Sequence, residues 1–316
     1  MKIRFWVIIS FLFVFLIGFL LLGPVTFRLK KRTTINASIF NVVNQFTDIH
    51  NWKHWYPGLT GKDSSVFIYS GITNSVNSSL SVEEKKYTIT GVNVEGIHFE
   101  EQVNGNKISQ SISAFPDSFN TITHVSWIKV GSFSDWLNEK FTHASEMENG
   151  LKNLKNYIED PEKFYGFHME IESVSDTLLI TKKTVALKNR IPATLNILYA
   201  DLNQYLHENS MDGGQRMAGF FTRENDSVEI MAGITVVKKE PEKSGIRYME
   251  MPHGRMLVGD YLGPYEKISQ LYAAMNRYLV DKQLSRVAMI YEKYFNEPRT
   301  REDSAQMKIK IYYPIY

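Results

Sequence analysis

The sequence predicts an α+β chain in which a membrane anchor precedes two domains. The first domain reads as a sheet wrapped around a long helix, and the second as a duplicated β-β-α-β-β unit with pseudo-twofold symmetry. Three observations indicate this: a length of 316 residues, an uncharged apolar run over residues 5–23, and a nine-residue segment that recurs in the C-terminal half. The predicted boundaries are 1–32 for the anchor and its basic flank, 33–160 for the first domain and 161–316 for the second.

The apolar run over residues 5–23 is long enough, at about 1.5 Å per residue, to approach the ~30 Å hydrocarbon core of a bilayer. A cleaved signal peptide is the alternative, but Leu22-Gly23-Pro24-Val25 is not a small-x-small cleavage site. The run therefore predicts a permanent single-pass N-terminal anchor in a bacterial inner membrane, with the lipid bilayer as a partner. A small excess of basic residues after the run favours a cytoplasmic position for the remaining chain.

Composition excludes several classes of site. The net charge of +2 gives no support to a nucleic-acid-binding surface, and the lack of cysteine excludes disulfides, thiolate zinc sites and a cysteine nucleophile. His50 and His54 lie four residues apart, but no third metal ligand follows at a sensible spacing. No Gly-rich phosphate loop, His-Glu-x-x-His or Gly-x-Ser-x-Gly motif occurs. We therefore expect no metal, no cofactor and no nucleic acid.

The first domain opens with a short strand and an amphipathic turn, continues through several strand-like runs, and closes with a helix from Phe133 to Ile158. The apolar residues of that helix step by three and four positions throughout. An aromatic group comprising Trp52, Trp55 and Tyr56 either lines the mouth of a cavity or caps the core, and the sequence leaves both interpretations open.

The first domain opens with Ile35-Asn36-Ala37, followed by Asp48, Trp52 and Trp55-Tyr56-Pro57. These residues follow the opening pattern of the START-like, or SRPBCC, helix-grip superfamily, which residues 33–160 therefore resemble. It implies a mostly apolar cavity between the sheet and the long helix, used for hydrophobic small molecules. The motif is a signature of fold and names no ligand.

The C-terminal half contains an internal repeat. The segment Leu198–Leu206 recurs as Leu271–Leu279, with six of nine positions identical at an offset of 73. Two strand-like runs precede each copy and two follow it, so each half reads as β-β-α-β-β. Such a duplication generally arranges its halves about a pseudo-twofold axis, with a cleft where they meet.

The segment from Val287 to Arg299 reads as a late strand that contains an acid, Glu292. Because strand side chains alternate between faces, Glu292 points the same way as Tyr294 and opposite to Tyr291. If that face lines a cavity, a carboxylate and a phenol lie side by side in an apolar wall. The alternative is a solvent-facing Glu292 on an edge strand.

This half contains two motifs, Gly263-Pro264-Tyr265-Glu266 and the run from Tyr291 to Arg299. They match the "G-P-Y" and "E-x-Y-x-x-x-P" elements of the GyrI-like, or effector-binding, domain, which this half resembles. The resemblance implies a cleft for amphipathic, often cationic or aromatic, molecules, with Glu292 as the buried acid and Tyr294 as its neighbour. Other implied site residues are the wall tyrosines Tyr265, Tyr261 and Tyr248, and a second acid, Glu229, in the first half.

These observations favour a membrane-anchored protein that binds small amphipathic or hydrophobic molecules and senses, sequesters or transfers them. The alternative is a hydrolase acting on small electrophilic or xenobiotic compounds, with Glu292 activating water and Tyr294 orienting it. A third possibility is a non-catalytic scaffold for a protein partner that the sequence does not identify. No helix-turn-helix segment occurs, which argues against a DNA-binding regulator.

Overall fold

The chain combines α-helices with two antiparallel sheets of seven and eight strands, which confirms the predicted α+β class. It divides into two compact units, Met1–Asp160 and Pro161–Tyr316. The structure is a computed structural model, and it describes residues 2–22, 27–132, 145–175, 177–222, 226–243, 245–251, 253–296 and 306–316.

The first helix, α1, spans Lys2–Leu22. Within the described residues, no helix has both the length and the apolar character needed to cross a membrane. The predicted anchor over residues 5–23 and the membrane localisation are therefore wrong on this finding, and a lipid-bilayer partner has no support.

The first unit is built on a seven-stranded antiparallel meander. Its strands are β1 (Phe27–Ile35), β2 (Ile68–Ser70), β3 (Ser79–Val82), β4 (Lys85–Asn93), β5 (Gly96–Val103), β6 (Asn106–Pro116) and β7 (Thr123–Gly131). Their order in the sheet is β1-β7-β6-β5-β4-β3-β2, so the first strand pairs with the last. Helix α2 (Ile39–Thr47) follows β1, and helix α3 (Glu146–Glu159) follows β7.

Helix α3 begins at a Ser145 cap, whose hydroxyl accepts a hydrogen bond from the backbone N–H of Glu148. The sequence predicts a helix that starts at Phe133. Residues 133–144 lie outside the described residues, so only the part of the predicted helix that α3 covers can be compared with the structure.

The aromatic group of Trp52, Trp55 and Tyr56 is fully buried in the core of the first unit. The rings of Trp52 and Tyr56 stack with their centroids 4.9 Å apart. The indole N–H of Trp52 donates to the carbonyl of Phe46 at 2.9 Å, and that of Trp55 to the carbonyl of Gln45 at 3.0 Å. With both indole N–H groups paired inside the protein, the two indoles and the tyrosine ring fill the core.

The second unit starts with a short helix, α4 (Pro161–Tyr165), and then repeats the order strand, strand, helix, strand, strand. Its two long helices are α5 (Ile191–Glu208) and α6 (Ser269–Asp281), one in each half. The strands are β8 (Met169–Val174), β9 (Leu178–Leu187), β10 (Arg216–Thr222), β11 (Ser227–Thr235), β12 (Ile246–Glu250), β13 (Gly254–Gly263), β14 (Tyr291–Tyr294) and β15 (Met307–Pro314).

The strand order of this sheet is β12-β9-β11-β10-β14-β15-β13-β8. If each strand is replaced by its counterpart in the other half, the same order results, read from the opposite edge of the sheet. The counterparts β10 and β14 are therefore neighbours at the centre. In their register Ala218 pairs with Glu292 and Gly219 with Tyr291.

Helices α5 and α6 pack on one face of the sheet. Leu198 of α5 lies in one core cluster with Ala218 and Ile230, and Leu271 of α6 lies in another with Ile311. Because Ala218 and Glu292 are cross-strand partners, their side chains share this face. Glu292 is thereby placed at the sheet centre, under the helices.

Candidate functional site

Glu292 lies on β14, which pairs with β10 on one side and β15 on the other, so the acid is not on an edge strand. Its side chain is only 1 % exposed. Tyr294, two residues further, is on the same face and its hydroxyl donates to Oε2 of Glu292. Tyr291 is on the opposite face, where its ring stacks on Tyr312 with centroids 4.8 Å apart. The alternation of side chains along β14 produces this arrangement.

Three phenols surround the carboxylate of Glu292, and we call these four residues the tyrosine cage. Tyr272 donates to Oε1 at 2.7 Å, and Tyr265 lies 3.3 Å from Oε1 and 3.2 Å from Oε2. Tyr294 completes the set through Oε2. Tyr265 begins a short 3₁₀ turn directly before α6 and Tyr272 lies in the first turn of α6. They are seven residues apart, about two helical turns, so both project towards the sheet.

Burial raises the pKa of Glu292 from 4.5 to about 7, and the three phenol hydrogen bonds oppose that rise without cancelling it. Burial, and next the charge of Glu292, raise the pKa of both Tyr265 and Tyr272 well above the usual range, so these phenols remain donors. In the described part of the chain, no cationic side chain forms an ion pair with Glu292. Near neutral pH the cage therefore holds a carboxyl group divided between its neutral and ionised forms.

A cavity of about 260 Å³ borders the cage. Tyr265 and Tyr294 form part of its wall, and Glu292 lies behind them without lining it. Across the cavity, the ring of Tyr199 meets that of Tyr294 edge to face, with centroids 6.5 Å apart, and the guanidinium of Arg216 lies 4.9 Å over Tyr199. The other lining residues are Pro192, Leu195, Asn196, Glu266, Asn296 and Met307. The wall thus combines aromatic faces, apolar side chains and a few polar groups, as small-molecule sites commonly do.

Two predicted wall residues lie away from the cage. The hydroxyl of Tyr261 donates to the carbonyl of Pro264 at 2.6 Å. Tyr248 lies on β12 at one edge of the sheet, with its hydroxyl 3.1 Å from that of Tyr205. Neither makes a hydrogen bond to Glu292.

The predicted second acid, Glu229, is separated from Glu292. It lies on β11, the counterpart of β15 in the duplication, and Lys183 contacts its carboxylate at 3.2 Å. Ile230, its neighbour, packs under α5 in the helix-covered core, so alternation directs Glu229 to the other face of the sheet. The structure does not bring the two acids together.

Tyr272, Tyr199 and Arg216 were missed as site residues. Tyr199 and Tyr272 occupy the same position in the two copies of the repeat, 73 residues apart. Because a site residue in one copy of a repeat makes the equivalent position in the other copy a candidate, this pairing was a usable signal. The sequence contained no such signal for Arg216, because only the pairing of β10 with β14 places it near Tyr294. Within the described residues, no group of three potential ligands that could hold a metal ion is found.

Residues 170–315 match the family model of the GyrI-like small molecule binding domain. The second unit therefore carries a GyrI-like domain, and this part of the predicted resemblance is confirmed. The domain binds small molecules as a class. The match does not extend to the first unit, whose START-like resemblance stays a prediction.

Three solved structures similar to this chain illustrate the range of such proteins. The EcmrR–DNA complex has 10% identity and a TM-score of 0.42, over 58% of this chain and 77% of that one. A hydrolase from Listeria innocua has 11% identity and a TM-score of 0.38, over 51% and 98%. The protein SAV2435 bound to tetraphenylphosphonium has 13% identity and a TM-score of 0.35, over 47% and 94%. A comparison with curated proteins gave no match.

Replacing Tyr272 by Phe is expected to raise the pKa of Glu292 further. The variant removes the 2.7 Å hydrogen bond to Oε1, and a hydrogen bond to a charged group contributes roughly 1.5–3 kcal/mol, or about one pKa unit or more. Carbon-13 NMR of labelled glutamate carboxyls over a pH series would measure the shift. Tyr278→Phe is the control, because Tyr278 lies on the same helix outside the cage. An unchanged Glu292 titration in Tyr272→Phe would contradict the geometry.

Proposed function

We propose that the GyrI-like domain binds small amphipathic molecules that carry an aromatic ring and a positive charge, in the cavity beside the tyrosine cage. The observation that carries this proposal is the buried Glu292, whose negative charge is held by three phenols and balanced by no described cation. The protein would sense, sequester or transfer such molecules.

The cage suits a cation for two physical reasons. The faces of tyrosine rings attract positive charge, and more strongly where water is excluded. A carboxylate just behind those rings acts through a medium of lower dielectric than water, so its attraction is less screened. Binding a cation favours the ionised form of Glu292, so it lowers the pKa of that group and releases protons near neutral pH.

The direct test compares two ligands of the same shape, 4-hydroxyphenyltrimethylammonium and the neutral 4-tert-butylphenol, by isothermal titration calorimetry on the full chain. We expect the cation to bind more tightly, with proton release that changes the apparent enthalpy between buffers of different ionisation heat. Equal affinity for the two ligands would indicate a hydrophobic site that does not recognise charge. Binding of neither would contradict the proposal and favour the scaffold interpretation.

Arg216 provides a second test with the opposite sign. Its guanidinium lines the cavity and lies over the ring of Tyr199, where it repels a bound cation. Replacing Arg216 by Gln is expected to strengthen binding of the cation by roughly 3- to 10-fold and to leave 4-tert-butylphenol binding nearly unchanged. Arg247→Gln, far out on edge strand β12, is the control. Weaker cation binding in Arg216→Gln would mean that the guanidinium supports the ligand.

Hydrolysis is the second candidate, favoured by one observation. A pKa of about 7 places Glu292 where a general acid or base is most effective. Its oxygens, however, accept three phenol hydrogen bonds and the side chain is nearly inaccessible, so contact with a substrate or its attacking water requires rearrangement of the cage. Turnover of a panel of reactive esters and strained rings that disappears in Glu292→Gln would establish this activity.

For the first unit we retain the helix-grip fold over residues 33–160 as a proposal, and 161–316 as the extent of the second domain. An antiparallel sheet of seven strands with a helix after the last strand supports it. The burial of Trp52, Trp55 and Tyr56 removes them as candidates for a ligand-binding wall, so we propose no ligand for that core.

A further inference from the structure

A second cavity, of about 350 Å³, lies on the first unit against β1, β6 and β7. The burial of β1 alternates along the strand, so Lys30, Arg32 and Thr34 share its exposed face. The strand register places Arg32 beside Ser126. It places Ser126 in turn beside Ser113 of β6. A row of one guanidinium and two hydroxyls therefore crosses three strands, and this face is opposite to the one that carries Trp127 into the core.

The lining of this cavity is basic. It includes Lys30, Arg32 and His124, and none of its lining residues is acidic. In the described ranges, neither Lys30 nor Arg32 takes part in an ion pair, although Lys31 between them pairs with Glu148 on the other face. The two positive charges are thus gathered on one wall without a compensating carboxylate.

Ser126 supplies an independent observation. The residue is only 8 % exposed, and its hydroxyl oxygen is buried with no hydrogen-bond partner in the part of the chain that the structure describes. A buried hydroxyl without a partner destabilises a protein unless a ligand or water satisfies it. Ser126 lines the cavity between the Arg32 and Ser113 positions, so a molecule bound there would come within its reach.

We infer that this cavity is a binding site for the phosphoryl group of a small phosphate monoester, separate from the tyrosine cage. Two cations match the two negative charges of a monoester, and the planar guanidinium of Arg32 binds phosphate oxygens in pairs. The hydroxyls of Ser113 and Ser126 are additional donors, whereas that of Thr34 lies 3.3 Å from Nδ1 of His124. Phe115, which also lines the cavity, offers an apolar surface for the organic part of the ligand.

The test is calorimetric titration of the full chain with phenyl phosphate at constant ionic strength. Arg32→Gln is expected to lower the affinity about tenfold or more, because it removes a charged, two-pronged donor. Arg28→Gln is the matched control, because Arg28 lies on the same face of β1 but does not line the cavity. This variant should bind phenyl phosphate with the affinity of the wild type. Ser126→Ala should weaken binding several-fold while leaving the melting temperature unchanged or higher, because it deletes an unpaired buried hydroxyl.

Three results would overturn the inference. One is the absence of saturable binding, and another is an equal loss in Arg28→Gln and Arg32→Gln, which indicates only general attraction to a basic strand. The third is wild-type affinity in Ser126→Ala, which would mean that water, and not the ligand, forms the hydrogen bond with the Ser126 hydroxyl. Monomeric dihexanoyl phosphatidic acid, titrated alongside, distinguishes a lipid headgroup from a free monoester by its relative affinity. Glu292→Gln should bind phenyl phosphate normally, so failure at either site is distinguishable from failure at the other.

Discussion

Replacing Glu292 by Gln is expected to weaken binding of 4-hydroxyphenyltrimethylammonium by about 10- to 100-fold. The substitution keeps the size of the side chain and removes the charge that the cage holds behind Tyr265 and Tyr294. A buried charge contributes several kcal/mol to the binding of an oppositely charged ligand, reduced by the free energy needed to remove both charges from water. Affinity for the neutral 4-tert-butylphenol should change little, because that ligand gains nothing from the charge. Calorimetry with both ligands separates loss of charge recognition from loss of the cavity.

Glu229→Gln is the matched control for that experiment. It makes the same chemical change in the same sheet, but Glu229 lies on the face opposite the helices and pairs with Lys183. It should bind both ligands as the wild type does. If the two variants weaken cation binding equally, the effect comes from the overall charge of the protein and the cage is not the site.

The second large effect concerns stability against pH. A carboxyl group with a pKa of 4.5 when unfolded and about 7 when folded binds its proton more tightly in the folded state. Stability from this group is therefore fully present below pH 4.5 and is lost as the pH rises to 7. The shift corresponds to ~3 kcal/mol of unfolding free energy. Glu292→Gln should lack this dependence, because its amide does not titrate.

Urea unfolding at pH 5 and pH 8 measures the difference, and the sequence provides an internal control. All five tryptophans precede residue 161, so tryptophan fluorescence follows the first unit, whereas circular dichroism also reports the second. The wild type should lose ~2.5 kcal/mol more than Glu292→Gln in the transition that fluorescence does not detect, because part of the full ~3 kcal/mol is already lost at pH 5. The same loss in both variants would place the titration elsewhere. A saturating cation should reduce the loss in the wild type, because it stabilises the ionised carboxylate.

Local patterns predicted much of the second unit. The repeat at an offset of 73 and the alternation of strand residues indicated two β-β-α-β-β halves, and the strand order is symmetric under their exchange. Alternation also indicated that Glu292 and Tyr294 share a face, and the structure places their side chains in direct hydrogen-bond contact. These features depend on residues close together in the chain, which is why periodicity was sufficient.

Hydropathy misled at the N-terminus. An uncharged run over residues 5–23 has the composition of a membrane span. The described helices include none that is long and apolar enough to cross a membrane. At Trp52 the sequence left open whether the ring lines a cavity mouth or caps the core, and the structure has it in a packed core.

The sequence by itself determined the α+β class, the duplication and the shared face of Glu292 and Tyr294. Only the tertiary structure decided that Tyr265 and Tyr272 join Tyr294 around that acid, that Glu229 lies on the other face, and that a basic row forms across three strands of the first unit. The physical reason is the distance along the chain over which each property is determined. Side-chain direction follows from backbone geometry within a few residues, whereas burial, hydrogen-bond partners and the pKa of a carboxyl group depend on segments that only folding brings together.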